Sequence, residues 1–393
     1  MSRPLLIIFL TIFVNLVGFG IIIPLLPFYA ETFGASPMVI GLLFAVFSLC
    51  QLVAAPALGD MSDRYGRRPV LVFSLAGTVV SFVMLALAHN IVMLFAARIV
   101  DGLSGGNIST ARAYVADITE PKDRARAYGL IGAAFGLGFI LGPALSGVLA
   151  HVSYTAPIWA AAGITLVATA MAWLWLPETV HRARAGVGNP FRYLPALLAR
   201  PLVRRVLVID FMYWCAFAVF QTTFGLFVAR RFGFDASHTG YFLAGFGVLG
   251  AIIQGGLIRP IVARLGDKPT FMLGVTCAAV GLVGAALAQS VLVFAVTLVP
   301  LAFGIGFGHP TMASLVSLVA HGDEQGRVQG AASAVESLGR TVGPIWGNGS
   351  LQHVGDSAPY ISAAALLLLT FLMSVSFHVS HRDAAEPRAA SAR

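Results

Sequence analysis

Long apolar runs, separated by short clusters of charged, glycine or proline residues, follow one another along almost the whole chain. Because a helix rises about 1.5 Å per residue, a run of roughly 20 apolar residues can cross the hydrocarbon core of a bilayer. The runs predict twelve helices: 5–30, 38–59, 70–88, 91–114, 125–149, 155–176, 204–229, 239–262, 270–288, 291–319, 327–351 and 359–379. The pattern therefore indicates an all-α membrane protein with twelve transmembrane helices.

A charged segment between the second and third runs recurs later in the chain. Residues 63–69 align with residues 263–269, and the Gly-Pro pair at 142–143 aligns with the pair at 343–344. This nearly constant offset of about 200 residues indicates a duplicated membrane module of the kind found in transporters. We expect two pseudo-symmetric six-helix halves, with these parts: an N-terminal bundle 1–177, a cytoplasmic linker 178–203, a C-terminal bundle 204–380 and a cytoplasmic tail 381–393.

Composition supports a membrane protein and excludes a soluble globular one. Of 393 residues, 58% are apolar and only 11% are charged, and the mean hydropathy is +0.85; soluble domains carry about twice that charged fraction. The net charge of +8 is spread over short loops, which argues against nucleic-acid binding. Because alternate loops are basic, the positive-inside rule predicts that these loops and both termini are cytoplasmic.

The sequence contains no motif that indicates an enzyme. It has no His-Glu-x-x-His, no Gly-x-Ser-x-Gly and no phosphate-binding loop. Cys50, Cys215 and Cys277 lie inside apolar runs without paired spacing, so neither a disulfide nor a metal site is indicated. We expect no catalytic activity and no cofactor, and any transport would draw on an ion gradient.

Ionisable residues inside the predicted spans are the sharpest functional signal, since each costs about 3 kcal/mol near the middle of a membrane helix unless it is paired or hydrated. Arg98 and Asp101 are three residues apart on helix 4 and can pair. Arg112 follows Asp101 by eleven residues, about three turns, which places it on the same face of helix 4, nearer the cytoplasm. Two interpretations remain open for Asp101: it exchanges a proton and releases Arg98, or the two form a permanent structural pair.

The C-terminal half carries a second set of such residues. Glu336 and Arg340 are four residues apart on helix 11, in the order that favours an ion pair. Asp210 follows Arg205 by a turn and a half, which favours a salt bridge at the membrane surface. His309 is either a proton or substrate ligand or a hydrogen-bonded packing residue. The proton-coupling candidates are Arg98, Asp101, Arg112, Glu336, Arg340 and His309.

Aromatic residues recur every three or four positions in helix 7, and helices 1 and 5 add more rings. An aromatic wall suits flat, amphipathic or cationic organic molecules, whereas a stripe that faces lipid is the alternative. The candidate cavity residues are Asn15, Phe19, Phe135, Phe139, Tyr213, Phe217, Phe220, Gln221 and Phe224.

Helix 5 combines small residues with a proline. Pro143 removes a backbone hydrogen bond and bends the helix. Small residues let membrane helices approach closely, and those of helix 5 are Gly132, Gly136, Gly138, Gly142 and Gly147.

Five segments in order along the chain resemble signatures of the major facilitator superfamily, and within it the tetracycline-efflux-like branch of the twelve-helix drug:proton antiporters. They are residues 18–27 in helix 1, 59–69 after helix 2, 98–102 in helix 4, 116–126 after helix 4 and 132–147 in helix 5. Asp101 stands where that helix 4 signature often has Gln. The resemblance implies the major facilitator fold, antiport with protons and a monomeric transporter, with helix 5 (Gly132, Gly136, Gly142, Pro143, Gly147) controlling cavity closure.

The resemblance also implies that the charged segment is a conformational latch. Its residues are Gly59, Asp63, Arg64, Gly66, Arg67 and Arg68, together with Asp117. Arg67 would pair with Asp117, and Asp63 would lie at the start of helix 11, near residues 323–327, while the cavity faces outwards. Ala263 replaces Asp63 in the second copy, so the latch would be one-sided. In the alternative reading, the arginines only set topology and contact lipid headgroups.

The chain departs from the tetracycline exporters at residues implicated in handling drug and proton. Acidic positions of that branch correspond to Asn15, Ser81 and Ala278, and a helix 8 histidine corresponds to Gly250. We therefore expect an inner-membrane exporter of hydrophobic or amphipathic small molecules coupled to protons. Alternatives are tetracycline-specific efflux, an uptake permease or metabolite exporter on the same fold, and a non-transporting receptor or lipid-scramblase-like protein.

Overall fold

Helices account for nearly all of the chain that the structure describes. A computed structural model describes residues 3–105, 107–120, 124–179, 190–320 and 324–376. The elements are α1 (Arg3–Glu31), α2 (Pro37–Tyr65), α3 (Arg67–Ala86), α4 (Ile91–Ser104), α5 (Asn107–Ile118), α6 (Arg124–Ala150), α7 (Ala156–Trp175), α8 (Pro190–Leu198), α9 (Pro201–Phe232), α10 (Ala236–Ile252), a π-helical segment (Ile253–Leu257), α11 (Ile258–Leu265), α12 (Asp267–Leu287), α13 (Val291–Leu318), α14 (Gln325–His353) and α15 (Ala358–Val375). The predicted all-helical class is confirmed. The predicted tail, 381–393, lies outside the described residues.

Each of the twelve predicted spans coincides with a helix or an interrupted helix. Nine helical stretches in the described part of the chain are long and apolar enough to cross a membrane. The other three spans correspond to α9, α14 and the pair α4–α5, whose interiors carry charged side chains. The described helices therefore fit a twelve-span, multi-pass membrane protein.

The turns between helices repeat about 200 residues apart. Gly66, before α3, has φ 110°, and Gly266, before α12, has φ 85°; a side chain is strained at these angles, so both turns favour glycine. Asn90 and Ser290 each accept a hydrogen bond from an amide three residues later and so cap α4 and α13. The repeat seen in the sequence thus extends to the chemistry of the turns.

The charged segment 59–69 is almost entirely helical, although we expected a loop. α2 continues to Tyr65, Gly66 alone interrupts the helix, and α3 starts at Arg67. Hydropathy marks where apolar residues end, but a helix can continue into the polar interface because its backbone bonds are satisfied internally.

Predicted helix 4 is broken, and predicted helix 8 contains a π-helical segment. α4 ends at Ser104 and α5 starts at Asn107. Irregular backbone at membrane depth needs hydrogen-bond partners: the Gln51 side chain donates to the Gly105 carbonyl at 2.9 Å, and the Ser74 hydroxyl donates to the Ser104 carbonyl. In predicted helix 8, the π-helical segment separates α10 from α11. A short helix, α8, also occupies part of the predicted linker.

The N-terminal half (α1–α7) and the C-terminal half (α9–α15) meet at one end of the bundle. We call the end with Gly66 and Gly266 the basic end, and the end with residues 32–36 and 354–357 the opposite end. At the opposite end, the Met38 amide donates to Gln352 Oε1 at 2.9 Å. α2 also packs closely on α14, because a Cβ on Gly41 would overlap the carbonyl of Pro344 and lie 2.9 Å from the Asn348 Cβ.

A second seam joins α6 to α10 through glycines. A Cβ on Gly240 would lie 2.7 Å from the Cα of Gly147, so the two backbones touch near the opposite end. Farther along, Cβ atoms added to Gly132 and Gly136 on α6, or to Gly250 on α10, would have no neighbour within 4 Å. The helices therefore diverge, and the gap between the halves opens towards the basic end.

Replacing Gly240 with Ala should force α6 and α10 apart, because the new methyl group would lie 2.7 Å from Gly147. Overpacking costs about 1–3 kcal/mol, so we expect a lower midpoint of thermal unfolding in detergent. Gly245→Ala, on the same helix with open space around it, is the matched control and should leave the midpoint unchanged or higher. Equal midpoints for the two variants would contradict the seam.

Candidate functional site

Arg98 and Asp101 form a buried ion pair on α4, as their spacing predicted. Arg98 Nη1 lies 2.7 Å from Asp101 Oδ2, and the two side chains are 1% and 10% exposed. Arg98 Nε also donates to the Leu43 carbonyl of α2 at 3.5 Å, and its guanidinium lies 4.2 Å from the centre of the Phe47 ring. The arginine therefore connects the carboxylate of α4 to the backbone and an aromatic face of α2.

Close packing of α4 on α2 holds this pair in place. A Cβ on Gly102 would overlap the Phe47 carbonyl and lie 2.7 Å from the Cβ of Cys50. Ser81 of α3 lies beside Asp101. The resemblance drawn from the sequence aligns Ser81 with an acidic position of the tetracycline exporters; in this structure the carboxylate stands on α4 and a hydroxyl group faces it from α3.

Arg112 does not continue the face of Arg98 and Asp101 along one helix. That prediction assumed an uninterrupted helix 4, and the break after Ser104 removes the basis for counting turns across it. Arg112 is exposed on α5. It acts electrostatically on Glu336 of the other half, so it links the two halves rather than extending a line of charge.

The spacing of Glu336 and Arg340 predicted an ion pair on α14, but the described residues do not form one. The Arg340 guanidinium donates to the Ser337 hydroxyl at 3.3 Å and lies 5.4 Å from the centre of the Trp214 ring. Helical spacing permits the pair without requiring it, and here Ser337 and the indole of α9 compete for the guanidinium. Glu336 and Arg340 are both half-buried.

His309 lies in an aromatic enclosure. Its ring stacks on Trp214 at 4.6 Å between centroids with an interplanar angle of 12°. Phe217 and Tyr213 meet it edge-on at 4.8 and 5.4 Å. Since Arg340 also lies over Trp214, the histidine and the arginine share one aromatic partner.

Asp210 is not the surface residue that the sequence indicated. It is 1% exposed, and Glu336 and Arg340 are its charged neighbours. Arg205, its expected partner, instead donates to the Ser376 carbonyl at 3.1 Å. The sequence separation from Arg205 suggested a pair at the surface, but α9 turns this face towards α14, which only the tertiary packing reveals.

The charged segment forms a compact cluster at the basic end. Arg67 contacts Asp63 at 2.5 Å and Asp117 at 3.3 Å, and it donates to the Ser62 hydroxyl at 2.6 Å. The expected proximity of Arg67 and Asp117 is therefore present. Asp63 faces Arg67 rather than the start of α14 in this arrangement. The part of the expected contact that involves residue 323 lies outside the described residues, and the role of the cluster as a latch stays a prediction.

The remaining residues of the segment are placed differently. Arg64 is exposed, Gly59 sits within α2 with open space around it, and Gly66 provides the single turn between two helices. Arg68 donates from its side chain to the Trp173 carbonyl.

Glu178 completes this cluster, although we assigned it to the linker. Its carboxylate accepts from the amides of Arg67 at 2.9 Å and Arg68 at 3.1 Å, and so caps the start of α3. A Cβ on Gly66 would overlap this carboxylate, so glycine is needed for both its angle and its size. The sequence held one signal for this cap. Glu178 is an acidic residue directly after a predicted span, and the Gly-Arg-Arg turn at residues 66–68 begins a helix whose first amides need an acceptor.

The glycines of α6 divide into two groups. Gly138 and Gly142 pack against α1, with Cβ positions that would clash with Leu16 and Gly20, and Gly147 packs against α10. Gly132 and Gly136, expected to support close helix approach, have no neighbour within 4 Å. Pro143 lies inside an unbroken α6. Only the half of the helix near the opposite end uses its small residues for packing.

Part of the predicted aromatic cavity is instead the core of the C-terminal half. Phe220 and Phe224 are at most 2% exposed and pack on neighbouring aromatic rings, so they line no cavity between the halves and face no lipid. Tyr213 is also buried, beneath His309. The three- and four-residue spacing along predicted helix 7 placed these residues on one stripe correctly, but the stripe faces α12, α13 and α15. The half-buried members are Asn15, Phe19, Phe135, Phe139, Phe217 and Gln221.

Ala278 and Gly250 are the positions that the sequence resemblance aligned with an acidic residue and a histidine of the tetracycline branch. Ala278 is buried, and its Cβ occupies the space beside Gly304. Gly250 faces open space.

Comparison with known proteins agrees with this architecture. The sequence model of the Major Facilitator Superfamily matches residues 8–344 and 258–392. The chain belongs to the major facilitator superfamily. The tetracycline resistance protein of class G from Vibrio anguillarum is 33% identical over 354 residues, which cover 88% of this chain and 89% of the relative. Multidrug resistance protein 2 of Bacillus subtilis (strain 168) is 29% identical, with 95% of each chain covered.

Solved structures of this superfamily share the fold. The crystal structure of the human organic anion transporter MFSD10 (TETRAN) superposes with a TM-score of 0.74 at 25% identity and covers 95% of this chain and 99% of that one. The predicted family is thus confirmed, and the chain is a multi-pass membrane protein of the major facilitator superfamily.

Glu178→Ala should destabilise the basic end, because two amides in the first turn of α3 would lose their acceptor. Loss of a helix cap costs about 1 kcal/mol, so we expect a lower midpoint of thermal unfolding. Glu178→Gln keeps one carbonyl acceptor without the charge and should fall between wild type and the alanine variant. An alanine variant as stable as wild type would show that the cap contributes nothing.

Proposed function

We propose that this protein exports hydrophobic or amphipathic small molecules in exchange for protons, by alternating access. The observation that carries the proposal is the buried Arg98–Asp101 pair. Ionisable groups at this depth are costly and are commonly found on ion or substrate pathways. The names of relatives that confer tetracycline or multidrug resistance support efflux as the direction of transport.

A proton on Asp101 would change the balance of forces at α2. Protonation removes the negative charge that pairs with Arg98, and a buried arginine without its partner is strongly disfavoured. Its other contacts are the Leu43 carbonyl and the Phe47 ring, both on α2. Gly41, two residues before Leu43, packs on Pro344 of α14. Movement of α2 to accommodate the freed arginine would therefore act directly on the seam that closes the opposite end.

The cluster at the basic end would act as the complementary latch. Here Asp63 pairs with Arg67 while the gap at the basic end is open. We propose that, when this end closes, Asp63 moves to the start of α14, where backbone amides of the first helical turn can donate hydrogen bonds to its carboxylate. Arg67 would keep Asp117 as its partner through the change.

The basic loops would face the cytoplasm, as the positive-inside rule requires. Both termini are then cytoplasmic, the gap opens inwards, and the protein resides in the inner membrane. The bundles 1–177 and 204–380 would rock against each other as a monomer, joined by the linker 178–203 and followed by the tail 381–393. One proton supplies about 1.4 kcal/mol per pH unit and about 2.3 kcal/mol per 100 mV of membrane potential.

The substrate would bind among the half-buried rings and polar side chains between the halves. Phe19, Phe139 and Phe217 offer apolar surface, and Asn15 and Gln221 offer hydrogen bonds. Relatives named for tetracycline make that drug the first compound to test. Asn15, Ser81 and Ala278 lack the carboxylates of the tetracycline exporters, which favours a broader or different set of amphipathic molecules.

Arg98→Ala and Asp101→Asn should each abolish substrate-driven proton movement, since the first leaves a buried carboxylate unpaired and the second removes the proton site. Everted membrane vesicles with an internal pH dye, energised to acidify the lumen, are challenged with tetracycline and a panel of amphipathic drugs. Wild-type vesicles should release protons on addition of a substrate, and both variants should not, at equal amounts of protein in the membrane.

Asp235→Asn is the matched control, because Asp235 is an exposed carboxylate that caps α10 and asparagine caps helices equally well. Normal proton release in Asp101→Asn would contradict the assignment. No response of wild-type vesicles to any compound would favour an uptake permease or a protein without transport activity.

A further inference from the structure

A buried carboxyl group in the C-terminal half forms no ion pair with the described residues. Asp210 on α9 is 1% exposed, and neither of its oxygens meets the geometry of a hydrogen bond among the described residues, although the indole of Trp214, four residues later on α9, lies close enough to favour the charged form. A carboxylate removed from water without hydrogen bonds is among the costliest groups that a protein can bury. A structural role would ordinarily give it a fixed donor, as Asp101 has in Arg98.

The charges around Asp210 come mainly from α14. Glu336 and Arg340 act on it electrostatically, and Arg112 of α5 acts on Glu336 from the other half. Tyr213 follows Asp210 by one turn of α9, and His309 of α13 lies against the Tyr213 ring. Arg205, also on α9, donates to the Ser376 carbonyl. Among the described residues, Arg340 is therefore the cation that acts on both carboxyl groups.

Arg340 is placed between two possible partners without pairing with either. Its guanidinium donates to Ser337 and lies over Trp214, and its Nε has no partner among the described residues. Glu336 is half-buried and has two cationic neighbours, Arg340 and Arg112. Asp210 is buried, and the negative charge of Glu336 opposes a second charge there.

We propose that Asp210 binds a second exchangeable proton, and that Arg340 releases it by turning from Ser337 and Trp214 to pair with the Asp210 carboxylate. In this step the O–H bond of Asp210 breaks and the proton passes to water in the gap, past the half-buried Glu336. The cycle would then use one proton site in each half, Asp101 and Asp210. The inference rests on the proposed antiport for its role, but the protonation itself can be measured without transport.

Infrared spectroscopy of the purified protein in lipid nanodiscs tests the protonation directly. A neutral carboxyl group gives a carbonyl stretch that an ionised one lacks, and a buried group absorbs at higher frequency than a hydrated one. Near neutral pH we expect such a band in wild type and its loss in Asp210→Asn. Asp210→Glu should keep a band at a shifted frequency, which serves as the test where the asparagine variant does not fold.

Asp235→Asn is the control for loss of any one carboxyl group. Partial burial raises the pKa of Asp235, but hydrogen bonds from the amide and ring of His238 outweigh it, so the net pKa is below its usual value. This group is ionised near neutral pH, and its substitution should leave the band intact.

Arg340→Gln should keep the Asp210 band to higher pH than wild type, because the cation that favours ionisation is gone. A band that persists unchanged in both Asp210→Asn and Asp210→Glu, or no band in wild type, would overturn the proposal. Antiport could still operate through Asp101 in that case. Conversely, a band without drug-driven proton release would support the site and reject its role in antiport.

Discussion

The Arg98–Asp101 ion pair is the contact on which the rest of the account depends. Two opposite charges inside an apolar bundle are tolerated together, and either one alone is strongly disfavoured. The pair also joins α4 to α2 through the Leu43 carbonyl and the Phe47 ring. Because α2 forms one of the two seams between the halves, the protonation state of one carboxyl group can act on the contact that closes the bundle.

The two halves share turns and caps but differ in their charged interiors. In the N-terminal half the arginine and the carboxylate are in direct contact. In the C-terminal half one arginine faces two carboxyl groups and contacts neither directly. The basic end shows the same asymmetry, since Asp63 has Ala263 as its counterpart. The two halves thus keep the turns and helix caps of the duplicated module, whereas their charged residues differ.

Apolar run lengths predicted twelve spans that fit the described helices, because bilayer thickness sets helix length, and five motif segments predicted the family. Features that depend on distant partners were not predictable. The break near Gly105 is stabilised by Gln51 and Ser74 from two other helices, and it invalidated the predicted face of Arg112. Likewise, Arg340 lies over Trp214 instead of pairing with Glu336, and Phe224 is buried in the core of the C-terminal half instead of lining a cavity. Both positions depend on packing between helices, which residue spacing along one helix does not specify.

We propose that the proton on Asp101 controls which end of the bundle is closed. Double electron–electron resonance, which measures the distance between two spin labels, tests it most directly. The labels are placed at residues 129 and 264, at the basic ends of α6 and α11. Wild type should show a long distance at high pH, where the Arg98–Asp101 pair is intact as in this structure, and gain a shorter one as pH falls. Asp101→Asn, which mimics the protonated state, should show the shorter distance throughout. Distances that respond to pH identically in both proteins would contradict the account.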